Sequence, residues 1–265
     1  MAEAFNLWEE GRIPYFIGGE IPTLTYYKTE KKLGRGAVII CPGGGYSARA
    51  PHEGQGYAEF LNCRGLDSFV LDYRVAPNKY PAALSDARRA IRFVRHNAEK
   101  FGIDPDKIAI MGSSAGGHLA AHASTYIGEL SEESGDEIDN ECYVPNGQIL
   151  CYPVIDKEGH LGSYKNLLGE KLEQLCDSVI PYNLASEKAP PAFIWHTASD
   201  SCVDVKNTYR YATRLRELCI SSEVHIFPYG KHGLGLANTV TRAEPHVSSW
   251  TELLIAWLEL YGFFD

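Results

Sequence analysis

Between an apolar run and an Ala-rich segment, residues 108–124 (IAIMGSSAGGHLAAHAS) place Ser113 and Ser114 side by side. Only Ser114 has a glycine two residues before it, Gly112, and two residues after it, Gly116, which completes the pattern G-x-S-x-G. The spacing suits a nucleophile on a sharp strand-to-helix turn. Side chains two places away on either side would collide there, so residues without a Cβ are favoured. Alone the pattern is weak, because a Gly/Ser turn capping a helix has the same composition and a chain of this length meets the motif by chance roughly one time in seven.

A serine hydroxyl attacks poorly until a base takes its proton, and that base is commonly a histidine held by a carboxylate. Where the serine sits on such a turn, the acid follows a later strand and the histidine follows the strand after that. AFIWHTASD puts Asp200 just past one strand-like run, and EVHIFPYGKHG puts His232 just past the next. Asp204 competes for the acid role, but Asp200 stands nearer the strand end and precedes Val203 by three. Of the other histidines, His225 falls within the last strand and His246 opens the final helix. Negative charge on an attacked carbonyl needs two backbone N–H donors. Ala115, directly after the serine, offers one. The other falls to the glycine loop Gly43-Gly44-Gly45 after AVIICP, with Gly44 and Gly45 as the donors. Tyr46, beside that loop, is a candidate contact for a sugar ring or acyl group, with simple packing as the alternative.

These residues need a scaffold that brings loops together. Strand-like runs at Ala37–Cys41, 68–71, 108–111, 148–155, 192–197 and 223–228 alternate with helix-like stretches near 81–101, 205–219 and 246–261. In the first of these stretches Leu84, Ala87, Ile91, Val94 and Ala98 recur at spacings of three and four, one apolar face of a helix. Such alternation predicts an α/β fold with a mostly parallel sheet covered by helices on both faces. No repeat or Pro-rich linker divides the chain, so 1–265 reads as one domain. Residues 156–190, between two strands, read as a small cap or lid. Residues 128–141 carry seven carboxylates and read as a solvated loop lacking a calcium-loop pattern.

A formal net charge of -9 argues against nucleic acid as a partner. No stretch of about 18 apolar residues suggests a membrane span. The start MAEAFNLWEEGR has neither a basic nor an apolar leader character, so the expectation is a cytoplasmic protein. Seven scattered cysteines without C-x-x-C suggest neither a disulfide framework nor a zinc ribbon. His118 and His122 have zinc-compatible spacing, but Leu119 stands where a metalloprotease has Glu. Helix packing is the better reading, and no metal is expected.

PGGGY (42–46), YPAALSDARRAIRFVRHNAEKFGIDPDKI (80–108), MGSSAGGHLAAH (111–122), PPAFIWHTASD (190–200) and GKHGLGLA (230–237) together resemble the α/β-hydrolase esterases of the acetyl-xylan-esterase and feruloyl-esterase-like group. The resemblance runs from about residue 20 to the end. Pro42 stands where the wider hormone-sensitive-lipase-like group has His, and Asp204 where relatives often have Pro. The likeness implies an α/β-hydrolase fold and hydrolysis of short acyl esters, often acetyl groups on plant-derived sugars, without a metal or organic cofactor. The expected partner is then a small ester, an acetylated oligosaccharide, with the oligomeric state open and a homo-oligomer included. A peptidase or amidase using the same triad, and a ligand-binding protein on a hydrolase scaffold, are the competing readings.

Overall fold

The structure, a computed structural model, describes residues 2–130, 134–239 and 242–265. Eight strands form one sheet: β1 (Ala2–Asn6), β2 (Thr23–Tyr27), β3 (Ala37–Cys41), β4 (Asp67–Asp72), β5 (Ile108–Ser113), β6 (Gly147–Cys151), β7 (Ala192–Thr197) and β8 (Ser222–Phe227). Their spatial order is β1-β2-β4-β3-β5-β6-β7-β8. Strands β3 to β8 run parallel, while β1 and β2 add an antiparallel edge.

Side chains alternate across the sheet with period two. Ile39, Phe69, Ile110, Leu150 and Ile194 enter one core, and Val38, Val70, Met111, Ile149 and Trp195 enter the other. The first core is covered by α2 (Ala82–His96), the short α3 (Ala98–Phe101), α4 (Ala115–Thr125) and α8 (Lys206–Glu217). The second is covered by α1 (Gln55–Cys63) and α10 (Trp250–Leu260), with α9 (Pro245–Ser248) leading into the latter. A parallel sheet buried on both faces reads as continuous apolar runs, which is why the central strands stand out in the sequence.

The two antiparallel strands do not. β1 is largely exposed and reads AEAFN, and β2 alternates half-buried with buried residues. The run expected as one strand over 148–155 breaks at Tyr152, whose φ of 37° turns the chain out of the sheet.

Residues 156–190 fold into α5 (Leu161–Leu168), α6 (Leu172–Leu175) and α7 (Pro181–Leu184), joined by 3-10 turns. Tyr164, Leu167, Leu168, Val179 and Ile180 belong to the first core, so this insertion is packed onto the α4 side of the sheet. Asn166 Nδ2 also donates to Gly45 O at 2.8 Å, pinning α5 to the glycine loop. The acidic stretch is not simply solvated. Asp136 and Asp139 pair with the guanidinium of Arg89, which is 2% exposed, and those hydrogen bonds hold the Asp136 carboxyl down at about 2. Residues 131–133 of that stretch lie outside the described residues. No helix among the described residues is long and apolar enough to cross a membrane.

Candidate active site

Ser114 stands at the junction of β5 and α4 with φ 53° and ψ −119°, a conformation that side-chain-bearing residues rarely adopt. Two close backbone approaches explain the flanking glycines. A Cβ on Gly112 would lie 2.0 Å from Gly116 O, and one on Gly116 would lie 2.1 Å from Cys41 O. The turn is thus compressed against both its own helix and β3, and its hydroxyl is lifted clear of the strand.

The ends of β5, β7 and β8 bring the three expected residues together. Ser114 Oγ lies 2.8 Å from His232 Nε2, and His232 Nδ1 lies 2.7 Å from Asp200 Oδ2. Asp200 Oδ1 accepts the backbone N–H groups of Cys202 at 2.9 Å and Val203 at 3.0 Å. Burial alone would raise the Asp200 carboxyl, but hydrogen bonds from His196, His232 and the Val203 amide hold it well below the usual carboxylate range. An ionised Asp200 keeps the proton of neutral His232 on Nδ1, which leaves Nε2 free to accept from the serine. Asp204 is exposed, and its carboxylate caps α8 through the Lys206 N–H at 2.8 Å.

His232 reaches back over β7 and β6 on a loop tied down at several points. Thr197 Oγ1 donates to Gly230 O at 3.0 Å, Gly230 N–H donates to Ser199 Oγ at 3.0 Å, and His52 Nε2 donates to Gly233 O at 3.0 Å. The Tyr152 ring meets the His232 ring edge-on, with centroids 5.1 Å apart.

After β3 the glycine loop folds tightly. Gly44 and Gly45 have φ of 136° and 63°, and Gly44 O accepts from the N–H groups of Ser47 and Ala48 at 3.0 and 3.1 Å. A Cβ on Gly43 would sit 3.1 Å from Ser114 Cβ, so the loop runs directly alongside the serine. Among the described residues no acceptor takes the N–H of Gly44, Gly45 or Ala115. Ala115 also opens α4, where the helix dipole favours negative charge.

Tyr46 differs from the expectation of a sugar or acyl contact. Its side chain is 2% exposed and is turned into the core against Tyr73 and His118, with its hydroxyl 2.8 Å from His118 Nδ1. His118 Nε2 donates to Val179 O at 2.8 Å, so Nδ1 is the acceptor and the tyrosine donates. Burial pushes His118 down to about 4, and burial together with His118 pushes His122 well below its ordinary value. Both histidines are therefore packed neutral inside α4's surroundings, and among the described residues no three His, Cys, Asp or Glu side chains converge as a metal set.

Two participants escape sequence reasoning. His196, fully buried on β7, places Nε2 3.3 Å from Asp200 Oδ2. Its signal is faint but real, since it shares the core-facing parity of Ala192 and Ile194, where a polar side chain needs a buried partner. Glu53, 3% exposed, sits beneath the glycine loop. In a polar stretch such as APHEGQG nothing marks it out.

With this geometry in hand, comparison with known proteins is specific. The BD-FAE family model matches residues 25–215. Endo-1,4-beta-xylanase B of Butyrivibrio fibrisolvens is 37% identical over 88% of this chain and 38% of its own length. Acetylxylan esterase of Xylanibacter ruminicola is 34% identical over 78% of this chain and 42% of its own. This chain thus spans about two-fifths of the length of these curated relatives. The crystal structure of an acetyl ester-xyloside bifunctional hydrolase from Caldicellulosiruptor lactoaceticus superposes with a TM-score of 0.91 at 41% identity, covering 99% of this chain and 97% of that one. The chain belongs to the BD-FAE family, within the α/β-hydrolase esterases.

Proposed function

We propose that this chain is a serine esterase that removes short acyl groups, acetyl foremost, from carbohydrates such as acetylated xylo-oligosaccharides. The observation that carries the reading is the unbroken hydrogen-bonded chain from Ser114 through His232 to Asp200. The acetyl specificity leans on the relatives, one named acetylxylan esterase and another an acetyl ester-xyloside hydrolase.

In the proposed cycle Ser114 Oγ bonds to the acyl carbon while His232 Nε2 takes its proton. The carbonyl π pair moves onto oxygen, where the N–H groups of Ala115 and the Gly44–Gly45 segment stabilise the charge. Collapse expels the sugar alkoxide, which receives the proton from His232 and leaves as the alcohol. Water, deprotonated by the same nitrogen, then attacks the acyl-serine and releases acetate. Asp200 holds the imidazole and stabilises its cationic form throughout.

The test is acetate release from acetylated xylo-oligosaccharides by the unaltered chain and by Ser114→Ala, with a chromogenic acetate ester as control. Release from both substrates by the unaltered chain and from neither by the variant supports the reading. Cleavage of the chromogenic ester alone retains the chemistry and rejects the sugar ester.

A further inference from the structure

Glu53 closes a 3-10 turn (Pro51–Glu53) just before α1, and its carboxylate is buried under the active-site loops. One oxygen, Oε2, accepts the Gly43 N–H at 2.8 Å, and the other, Oε1, accepts the Tyr152 hydroxyl at 2.6 Å. Tyr152 in turn accepts the Gly235 N–H at 3.0 Å and sets its ring against His232. The neighbouring His52 side chain donates to Gly233 O, so the residues just after His232 are held both from this turn and through Tyr152. Gly43 is wedged between the carboxylate and the nucleophile. A Cβ there would lie 2.5 Å from Glu53 Oε2 and 3.1 Å from Ser114 Cβ.

A buried carboxylate is expensive to desolvate, and it persists where charge-assisted hydrogen bonds satisfy it. Here its two acceptor oxygens serve two different segments, the glycine loop directly and the His232 loop by way of Tyr152. We propose that Glu53 is a positioning residue, which through Gly43 and Tyr152 holds the glycine loop and the His232 loop in register across Ser114. This rests on the esterase reading above. Its mechanical content is that the carboxylate fixes the Pro42–Gly43 peptide and through it the adjoining Gly43–Gly44 peptide, so that oxyanion stabilisation depends on a side chain that never meets substrate.

Two esters identical except for C=O or C=S provide the readout. Sulfur is a larger and weaker acceptor, so the thionoester gains less from N–H donors aimed at an oxyanion. Glu53→Gln keeps size but cannot accept from both Gly43 and Tyr152. It is expected to lower kcat on the oxoester by about ten- to a hundredfold, with thionoester turnover within roughly threefold and KM little changed. Tyr152→Phe removes one arm of the brace and should move the oxo/thiono ratio the same way by less. Equal losses on both esters, or an unchanged ratio in both variants, overturn the proposal. If circular dichroism shows that Glu53→Gln is unfolded, the Tyr152→Phe ratio decides alone. If Ser114→Ala still hydrolyses the esters, the esterase reading itself falls. An inactive Ser114→Ala beside unchanged ratios removes only the role of Glu53.

Discussion

His196 and His232 address the same oxygen of Asp200, at 3.3 Å through Nε2 and 2.7 Å through Nδ1 respectively. His196 Nε2 also faces Val203 O at 3.0 Å, so it carries a proton, and its Nδ1 accepts from Thr208 Oγ1 at 2.9 Å. The acid is thus clamped on one side by two imidazoles and on the other by two backbone amides. Such saturation leaves the carboxylate little freedom to rotate away from His232.

Asp200→Asn is expected to cut kcat by roughly 10⁴-fold, because an amide can present its N–H to His232 and reverse the imidazole tautomer. His196→Phe should cost far less, about tenfold, since it removes one of four donors and leaves the triad connected. Steady-state kinetics on a chromogenic acetate ester check both. A His196 variant as damaged as Asp200→Asn would place the key contact elsewhere.

The adjacent serines should separate cleanly. Ser114→Ala is expected to lose nearly all turnover. Ser113 Oγ instead shares a hydrogen bond of 2.9 Å with Tyr57 in the core, so Ser113→Ala should keep most activity and lose about 1 kcal/mol of stability. Initial rates and urea unfolding of the pair measure this, and the reverse pattern would reject the assignment of the nucleophile.

Acid lability should follow from α4. His118 is held down at about 4 by burial, against an ordinary value of 6.5, so between those pH values the unfolded chain binds more protons than the folded one. Stability therefore falls as pH drops from about 6.5 towards 4, and His122 adds in the same direction. His118→Gln retains a donor for Val179 O and an acceptor for Tyr46. Its melting temperature should depend less steeply on pH across that window, as scanning calorimetry at several pH values would show.

Glycine substitutions should divide by the space available. Gly116→Ala drives a methyl group against Cys41 O and should destabilise by about 3 kcal/mol or more, with loss of turnover. Gly56→Ala meets nothing within 4 Å on α1 and should be neutral or stabilising by up to about 1 kcal/mol. Thermal denaturation of the two variants side by side tests the contrast.

Much of this arrangement is legible in the sequence because parallel strands buried on both faces announce themselves, and loops after them have defined order. Ser114, Asp200 and His232 are readable as neighbours from that order alone, and Asp200 is separable from Asp204 by its place at the strand end. The antiparallel edge is harder to see. β1 is largely exposed and offers no apolar run, although TLTYY in β2 carries the period-two signal. Tyr46 reads as a candidate substrate contact, with packing as the alternative, since its position beside the glycines is all that sequence displays. Only the fold reveals His118 waiting for its hydroxyl. Glu53 and Arg89 fail for a shared reason: a charged residue looks solvated until its distant partners, Tyr152 or Asp136, are brought to it.

The place of β8 at the margin of the sheet carries a consequence for the chain in time as well as in space. Ser114 and His232 are 118 residues apart, and the proposed base hangs beyond a strand that, among the described residues, is zipped to β7 alone. During synthesis the nucleophile emerges long before its partner, so a nascent chain passes through most of its assembly chemically silent. In the mature protein, fraying of that last strand is a local opening that separates base from hydroxyl while the central strands stay paired. Catalysis should then fade on warming before the bulk of the molecule melts, which makes turnover the most sensitive thermometer of this edge.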